Sequence, residues 1–320
     1  MKSSSLSPLV AVIGPTGCGK SDLALRLARE VPAEIVNCDS LQLYRYFDIG
    51  TAKLSEAERE GVPHHLLDIL DPGQETSAGD YARRAREVIA EITARGRLAV
   101  VTGGTGFYLR ALLDGLAEAP ARDDAIRRRL AGREQRRPGS LHRILRRLDP
   151  SSARRVHAHD LNKLVRALEV CLRARGPMSA LFAAGRDPLQ GYRTWKVGLN
   201  PPRAALYAQI DERCRRMFQR GLVEEVRRIL DLGYSPESKP FQSHGYRQVI
   251  GMLRGEIDPQ AALEEAQRNT RRYAKRQWTW FLREAGIDWL DGFGGDPKVQ
   301  DAAVAGLRKF LTSFTDFAAV

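Results

Sequence analysis

The chain has 320 residues, of which 43% are apolar, 28% charged and 7% aromatic, and its formal net charge is +12. These values exclude a disordered chain and a fibrous repeat, and they predict a globular protein of one large domain or two domains. No apolar run approaches the roughly 18 to 20 residues that a membrane-spanning helix needs, so we expect no membrane partner. We see no export signal and expect the protein to act in the cytoplasm.

The positive charge is concentrated in one segment. Residues 121–180 carry 16 basic and 6 acidic side chains, a net charge of +10, whereas residues 1–120 have a net charge of −3. Residues 203–283 add a further net charge of +6. This distribution indicates either a surface that binds a polyanion or a solvated, arginine-rich helical face, and charge alone favours neither.

The N-terminal part alternates strand and helix patterns. Short apolar runs at 9–13, 34–38 and 98–101 predict buried parallel strands, and helical periodicity predicts helices over 20–29 and 78–95. This order is typical of an open α/β sheet, which binds ligands at the carboxyl ends of its strands.

The rest of the chain is predominantly helical. Apolar residues recur at intervals of three and four over 122–175, which predicts an inserted helical subdomain. A strand over 192–199 returns the chain to the sheet. Helices are then predicted over 203–232 and 259–284, with a loop over 233–244 between them.

A phosphate-binding loop follows the first predicted strand. The sequence GPTGCGKS matches G-x-x-x-x-G-K-[ST] and lies between a strand and a helix, as this motif requires. Glycines let backbone N–H groups surround phosphate oxygens, while Lys20 supplies positive charge and the Ser21 hydroxyl can bind Mg²⁺. The predicted phosphate-binding residues are Gly14, Pro15, Thr16, Gly17, Cys18, Gly19, Lys20 and Ser21, with Mg²⁺ as cofactor.

The acidic residue that NTPases usually carry is missing from its usual place. The third apolar run ends in Thr102 and Gly103, whereas Asp39 follows the second run. The loop pattern also invites a prediction of nucleotide or ATP binding, but it does not distinguish ATP from other phosphate compounds. The missing acid favours a transferase whose donor carries a pyrophosphate.

Together these patterns predict an α/β fold with a P-loop NTPase-like parallel sheet core and an inserted basic helical domain. We expect the core over 1–120 and 192–320, including the C-terminal helices. The insertion is expected over 121–191 and contains most of the concentrated positive charge.

Several further motifs, in this order and spacing, resemble tRNA dimethylallyltransferases, the IPP transferase family. The resemblance implies transfer of a dimethylallyl group from dimethylallyl diphosphate to the N6 amine of adenosine thirty-seven in tRNA, with release of diphosphate. It also implies that the insertion binds the anticodon stem-loop, and we expect a monomer. Besides the P-loop, the motifs are NCDSLQLYRYFDIGTAK (37–53), VPHHLLDILDP (62–72), GGTGFYLRALLDGL (103–116), LVRALEV (164–170), GYRQ (245–248) and YAKRQWTWF (273–281).

The resemblance implies three catalytic roles. Asp39 is the candidate to bind the adenine amine and accept its proton, and a carboxylate beyond the Mg²⁺ ligands is its alternative. Thr105 is similar to the family threonine at the bridging oxygen of the diphosphate, and a helix cap is the alternative. Arg213 matches an arginine that reaches the diphosphate, and a solvated helix charge is the alternative.

The resemblance also implies tRNA contacts. The stretch DSLQ (39–42) matches the region around the target base, and NKLVR (162–166) matches a region that contacts the anticodon loop. Trp278 and Trp280 have the spacing of core residues, and we expect His64 and His65 to support packing or the substrate pocket rather than a metal. The tRNA-binding candidates are Asp39, Ser40, Leu41, Gln42, Thr105, Arg127, Asn162, Lys163, Leu164, Val165, Arg166, Gln248, Lys275 and Arg276.

Three other functions stay open on sequence grounds. The first is an adenylate isopentenyltransferase that modifies free nucleotides, and the net charge of +10 over 121–180 argues against it. The second is an RNA-bound P-loop kinase or NTPase, which the missing acid disfavours. The third is a non-catalytic RNA-binding module, which leaves the P-loop and Asp39 unexplained.

Overall fold

The computed structural model describes residues 6–183 and 185–314. The described residues divide into two compact units, one from residues 6–112 and 189–314 and the other from residues 113–183 and 185–188. We call these the core unit and the insert unit. The boundaries predicted for the insertion, 121 and 191, differ from those of the insert unit by a few residues.

A parallel sheet forms the centre of the core unit. Its strands are β1 (Ser7–Ile13), β2 (Ala33–Asn37), β3 (His64–His65), β4 (Leu98–Gly103), β5 (Tyr192–Leu199) and β6 (Ile287–Leu290). Within the described part of the chain their order is β3-β2-β4-β1-β5-β6, and every neighbouring pair is parallel. The predicted α/β fold with a parallel sheet core is confirmed.

Helices surround this sheet and make up the insert unit. No helix within residues 6–183 and 185–314 is both long enough and apolar enough to span a bilayer. Short 3₁₀ helices occur at Ala57–Arg59 and Lys239–Gln242. The α-helices are α1 (Lys20–Glu30), α2 (Ala78–Ala94), α3 (Gly106–Leu113), α4 (Asp124–Arg136), α5 (Ser140–Leu148), α6 (Pro150–Arg155), α7 (Leu161–Ala174), α8 (Met178–Ala183), α9 (Arg203–Gln219), α10 (Leu222–Asp231), α11 (Tyr246–Leu253), α12 (Pro259–Phe281) and α13 (Pro297–Leu311).

The prediction of one helix over 203–232 is wrong, because the structure has two helices, α9 and α10. Gly221 separates them in a left-handed conformation with φ 97°, which glycine adopts without steric cost. The loop predicted over 233–244 contains a 3₁₀ helix, and α11 follows it. The sequence patterns also missed β3 and β6, which are only two and four residues long.

Strand β1 lies at the centre of the apolar core. Its residues Leu9, Val10, Ala11 and Val12 are fully buried, which explains the continuous apolar run in the sequence. Helices α1, α9 and α13 supply side chains to the core cluster that contains Val10. Because β1, β2 and β4 are parallel, the loops after them meet at one edge of the sheet.

The insert unit has its own small apolar core. Leu141, Leu145 and Leu164 from α5 and α7 are fully buried in it. Asp149, which precedes α6 and is also fully buried, accepts hydrogen bonds from the backbone N–H groups of Ser152 and Ser179 at 2.9 and 2.8 Å. The two serine hydroxyls donate to the same carboxylate, which therefore joins α6 to α8.

Candidate active site

The phosphate-binding loop connects β1 to α1. Gly19 directly precedes α1 and is left-handed, with φ 85°. A Cβ at this position would lie 2.8 Å from the Gly294 backbone nitrogen, so the site requires glycine. Gly294 donates a hydrogen bond from its backbone N–H to the Cys18 carbonyl oxygen at 2.8 Å. The segment after β6 therefore packs against the loop and supports its conformation.

An open cavity lies over the N-terminus of α1. Backbone N–H groups and the positive end of the helix dipole at such a position favour an anion. Lys20 Nζ donates a hydrogen bond to the Pro15 carbonyl oxygen at 2.8 Å, so the ammonium group stays at the loop. The loop residues that line the cavity are Thr16, Gly17, Gly19, Lys20 and Ser21.

Three predicted phosphate-binding residues are not among the described residues that line this cavity. Gly14 packs against the Leu199 backbone, where a Cβ would come within 3.1 Å of the carbonyl oxygen. Pro15 contributes its carbonyl oxygen to Lys20. The Cys18 side chain is fully buried, and burial raises the pKa of its thiol. Gly14, Pro15 and Cys18 therefore shape the loop.

Asp39 follows β2 and is held by its own neighbours. Asn37, at the end of β2, is buried; its side-chain oxygen accepts a hydrogen bond from the Asp39 backbone N–H at 2.9 Å. Asn37 Nδ2 donates to the Leu66 carbonyl oxygen at 3.0 Å, which anchors this turn. Asp39 Oδ1 accepts from the Leu41 backbone N–H at 2.9 Å. Within the described residues, no hydrogen bond uses Asp39 Oδ2, which is left for a ligand.

Thr105 lies next to this turn, just before α3. Its hydroxyl oxygen accepts a hydrogen bond from the Ser40 backbone N–H at 3.1 Å, and its own backbone N–H donates to the Cys38 carbonyl oxygen at 3.2 Å. Thr105 is not among the described residues that line the open cavity. The structure thus shows Thr105 fixing the turn that carries Asp39.

Arg213 lies on α9, far from Asp39 in the chain, and lines the open cavity together with it. Its guanidinium makes no hydrogen bond or ion pair within residues 6–183 and 185–314. Burial lowers the pKa of the Arg213 guanidinium, while Cys214 and the Asp39 carboxylate act in the opposite direction. A partly desolvated arginine without a partner is suited to bind an anionic ligand.

A second, more enclosed cavity adjoins the first. It is mostly apolar, and Ile210, Met217, Phe218 and Leu222 contribute to its wall. Thr16, Asp39 and Arg213 line both cavities, so they stand where the two meet.

Two titratable side chains, His244 and Tyr273, also line the enclosed cavity. Their ring centroids are 5.4 Å apart. Burial lowers the pKa of His244 and raises that of Tyr273, so both side chains favour their neutral forms. Away from Asp39 and Arg213 the wall of this cavity is neutral and largely apolar, which suits an uncharged group better than a phosphate.

Sequence patterns did not identify the role of Gln277. This residue is buried on α12, and its Oε1 accepts a hydrogen bond from the Thr16 backbone N–H at 2.8 Å. Its Nε2 donates to the Gly104 carbonyl oxygen at 2.8 Å. One side chain therefore connects the P-loop to the turn after β4. The only sequence signal was its place in the motif YAKRQWTWF, and nothing in that motif indicates its two partners.

The tRNA-binding candidates of the core unit lie in different environments, some in the two cavities and one in the interior. Leu41 lines the enclosed cavity and Gln42 the open one, beside Asp39. Gln248 is buried, and its side-chain oxygen accepts a hydrogen bond from the Gly245 backbone N–H at 2.9 Å. That contact caps α11, so Gln248 does not offer a surface for RNA.

Lys275 and Arg276 are exposed on α12 and line a separate cleft. Arg110 and Arg283 line the same cleft, which makes it strongly cationic. The Arg110 guanidinium lies over the ring of Trp280, 4.2 Å from its centroid. Trp280 is thus a wall of this cleft, whereas Trp278 packs against the main core.

In the insert unit, only part of the predicted stretch 162–166 faces solvent. Asn162 and Lys163 are exposed, and Lys163 pairs with Asp160 at 2.6 Å. Leu164 and Val165 are buried in the core of the unit and cannot contact a partner. This outcome follows from helical periodicity, which places neighbouring residues of one stretch on different faces.

Arg127 and Arg166 approach the same carboxylate within the insert unit. Glu169 is fully buried, and its Oε2 accepts a hydrogen bond from Arg166 Nη1 at 2.7 Å. The Arg127 Nε lies 3.5 Å from Glu169 Oε1. Both arginine side chains remain partly exposed.

The histidine pair in the VPHHLLDILDP stretch does not form a metal centre. His65 Nε2 lies 2.6 Å from the Glu34 carboxylate, and His64 Nδ1 lies 2.8 Å from the Val62 carbonyl oxygen. The described residues contain no group of three or more His, Cys, Asp or Glu side chains that could hold a metal. The cysteines of the described chain are buried and unpaired, and burial raises the pKa of Cys38 to about 12.

Comparison with known proteins identifies the family. A family model described as IPP transferase matches residues 42–284. This chain belongs to the IPP transferase family. The tRNA dimethylallyltransferase of Solibacter usitatus (strain Ellin6076) is 60% identical over 304 residues, which cover 95% of this chain and 99% of that protein. The tRNA dimethylallyltransferase of Koribacter versatilis (strain Ellin345) is 51% identical over 297 residues, with coverages of 92% and 96%.

Solved structures of IPP transferases share this fold. The full-length tRNA isopentenylpyrophosphate transferase from Bacillus halodurans superposes with a TM-score of 0.69 at 33% identity, covering 97% of both chains. A eukaryotic dimethylallyltransferase acting on tRNA gives a TM-score of 0.81 at 25% identity, covering 96% of this chain and 80% of that one. The predicted resemblance to this family is confirmed.

Proposed function

We propose that this IPP transferase transfers a dimethylallyl group from dimethylallyl diphosphate to the N6 amine of adenosine thirty-seven in tRNA. The observation that supports this most is the junction of two cavities at Asp39 and Arg213. One cavity is built for phosphates and the other for an uncharged group. A donor that carries a diphosphate on a five-carbon apolar chain matches that pair.

In this proposal, the diphosphate of the donor lies at the N-terminus of α1. The backbone N–H groups of the P-loop, together with Lys20 and Arg213, stabilise the negative charge that grows on the leaving diphosphate. Within residues 6–183 and 185–314, neither Lys20 nor Arg213 forms an ion pair with a carboxylate, so no such pair has to be displaced. The prenyl chain then extends into the enclosed, apolar cavity.

The reaction forms one bond and breaks another at the same carbon. The adenine N6 attacks the first carbon of the prenyl chain, and the bond from that carbon to the bridging oxygen breaks. The diphosphate leaves with the electron pair of that bond, while the proton of the amine moves to Asp39 Oδ2. Thr105 contributes by holding the backbone of Ser40, and hence the turn that presents Asp39.

Magnesium fits the oxygen donors of the open cavity. The Ser21 hydroxyl lines it together with the carboxylates of Asp22 and Asp39. Mg²⁺ commonly takes one or two protein oxygens and completes its octahedral shell with substrate phosphates and water. Ser21 is the proposed protein ligand. When bound, the ion would neutralise part of the diphosphate charge.

The anticodon stem-loop is the proposed partner of the basic surfaces. Residues 121–180 hold a net charge of +10, and exposed arginines on α4 and α5 carry much of it. Lys275 and Arg276 provide a second basic surface in the core unit. An enzyme for free nucleotides has no need of these surfaces, so tRNA is the better match. We expect the enzyme to work as a monomer in the cytoplasm.

The test offers radiolabelled dimethylallyl diphosphate and Mg²⁺ with three acceptors in parallel. These are a tRNA with adenosine thirty-seven, the same tRNA with that base replaced, and free AMP. The proposal expects label on the first acceptor alone. Label on AMP would assign the enzyme to nucleotides, and ATP hydrolysis without any labelled acceptor would favour a kinase or NTPase.

A further inference from the structure

Two arginines of the insert unit meet at one buried carboxylate. Glu169 Oε1 accepts a hydrogen bond from the Asp123 backbone N–H at 2.7 Å, which ties α7 to the start of α4. Glu169 Oε2 accepts from Arg166 Nη1 at 2.7 Å, and Arg127 Nε lies 3.5 Å from Oε1. Asp124 is a second carboxylate near Arg127, and it also interacts with Arg122 and Arg128. Two carboxylates therefore face four arginines, so positive charge remains available here.

The two guanidinium groups differ in how much of them is left for a ligand. The side chains of Arg127 and Arg166 are 27% and 37% exposed, whereas that of Glu169 is 0% exposed. Arg166 Nη2 donates to the Pro120 carbonyl oxygen at 3.2 Å. For the Nη groups of Arg127, the described residues provide no hydrogen-bond partner. Arg127 Nε is buried and forms an ion pair with Glu169 rather than a hydrogen bond, so the Arg127 guanidinium is held by this carboxylate electrostatically.

We propose that Glu169 is a positioning residue for tRNA, because it holds Arg127 and Arg166 in the arrangement that contacts the RNA phosphates. This inference rests on the proposed function. Glu169 itself is fully buried and does not touch RNA. Its effect comes from fixing side chains in advance, since an arginine that is already ordered loses less rotamer freedom on binding.

The direction in which one substitution changes tRNA affinity distinguishes a positioning role from a simple charge effect. Replacing Glu169 with glutamine removes a negative charge close to the RNA surface. If charge alone mattered, the Glu169→Gln enzyme would bind the polyanion more tightly. If Glu169 positions the arginines, the same enzyme binds tRNA more weakly.

The experiment measures the dissociation constant of a tRNA substrate for wild type and Glu169→Gln over a series of salt concentrations. We expect binding about tenfold weaker at moderate salt, and a salt slope smaller by about 1, because one phosphate contact is lost. We also expect a higher KM for tRNA and an unchanged kcat at saturating tRNA.

Asp149→Asn is the matched control. Asp149 is also a fully buried carboxylate of the insert unit, but its partners are Ser152 and Ser179 rather than arginines. This control is expected to lower thermal stability and leave tRNA affinity and its salt slope unchanged. An equal loss of affinity in both variants would overturn the inference, since it would reduce Glu169 to a general packing role.

A double-mutant cycle tests whether Glu169 acts through Arg127. In an Arg127→Gln background, Glu169→Gln is expected to have a much smaller effect on affinity. Circular dichroism shows whether Glu169→Gln is folded. If this variant does not fold, Glu169→Asp is used instead, because aspartate keeps the charge but is too short to reach both arginines.

Unchanged or tighter tRNA binding by the folded Glu169 variant overturns this inference and leaves the proposed function standing. A wild-type enzyme that neither binds nor modifies tRNA overturns both. The wild-type measurement therefore distinguishes the two failures.

Discussion

One oxygen of the Asp39 carboxylate accepts a hydrogen bond from the Leu41 backbone, which leaves the other oxygen for the substrate amine. Asn37 and Thr105 fix the turn around it through Asp39 and Ser40. A base held in this way needs no rearrangement to accept a proton. The same carboxylate lines both cavities together with Arg213, so in the proposed reaction the proton acceptor and the group that binds the leaving diphosphate stand at one junction.

The first prediction concerns Asp39→Asn. Because asparagine keeps the shape and the contact to Leu41 but cannot accept the proton, we expect kcat to fall about 100-fold or more. The affinity for tRNA is expected to stay within a few fold, since phosphate contacts elsewhere dominate it. Single-turnover rates and tRNA binding measure both quantities. Asp48→Asn, which changes a carboxylate in the open cavity that pairs with Lys53, is the control, and a comparable loss of rate there would contradict the assignment.

The second prediction concerns Arg213→Gln. A charged hydrogen bond contributes about 1.5 to 3 kcal/mol, so we expect the KM for dimethylallyl diphosphate to rise about 10- to 100-fold. The KM for tRNA is expected to change little. Arg215→Gln is the control on the same helix, because Arg215 pairs with Glu212 and lies outside both cavities. Equal effects of the two substitutions would show that Arg213 acts only as a surface charge.

At the scale of elements, α12 connects parts of the site that are far apart in the chain. Gln277 bonds both the P-loop and the turn after β4. Gln277→Ala leaves the half-buried Thr16 N–H and the buried Gly104 carbonyl unpaired, which is expected to lower the free energy of unfolding by about 1 to 3 kcal/mol. It is also expected to weaken inhibition by pyrophosphate. Urea unfolding and inhibition assays test this, with the exposed Gln260→Ala on the same helix as control; similar stability losses would refute it.

The buried Asp149 carboxylate of the insert unit predicts that the stability of the fold depends on pH. Burial alone would raise the pKa of Asp149, but hydrogen bonds from Ser152 and Ser179 lower this pKa from 3.8 to about 2. A lowered pKa in the folded state means that Asp149 stabilises the fold above pH 3.8 and that this contribution is lost as the pH falls toward about 2. Between pH 3.8 and about 2, we expect the free energy of unfolding of Asp149→Asn to depend less steeply on pH than that of the wild type. The same dependence in both proteins would contradict this role of Asp149.

Local sequence patterns predicted the strand, loop and helix that carry the site. They did not predict features that depend on packing between distant residues. The run before Gly14 and the P-loop pattern were enough to predict β1, the loop and α1, because a parallel strand and a helix start have strong local signals. Gly221 divides a helical pattern that periodicity alone joins. Gln277 gave no local signal, since its two partners lie 261 and 173 residues away.

The tRNA-binding candidates show the same limit. Family resemblance selects whole stretches, such as NKLVR, but a helix turns its residues to different faces. Lys163 is therefore exposed while Leu164 is buried, and Gln248 caps a helix. Which member of a stretch can contact RNA depends on burial, which only the folded chain defines.

At the scale of the whole molecule, the chain combines two units with different tasks. The core unit provides the two cavities and the residues Asp39 and Arg213. The insert unit concentrates positive charge that the chemistry itself does not use. This division explains why a near-neutral P-loop fold carries a net +10 segment, since binding a polyanion and transferring a prenyl group make different demands on a surface.

Identification of the modified nucleoside is the decisive test of the proposed activity. Unmodified tRNA is incubated with the enzyme, Mg²⁺ and dimethylallyl diphosphate, cleaved by a base-specific ribonuclease, and analysed by liquid chromatography and mass spectrometry. We expect one dimethylallyl group on the fragment that contains adenosine thirty-seven, located on the base at N6, and none when Asp39→Asn replaces the wild type. A tRNA that returns unmodified under conditions in which AMP is prenylated, or in which ATP is hydrolysed, would contradict the proposed activity.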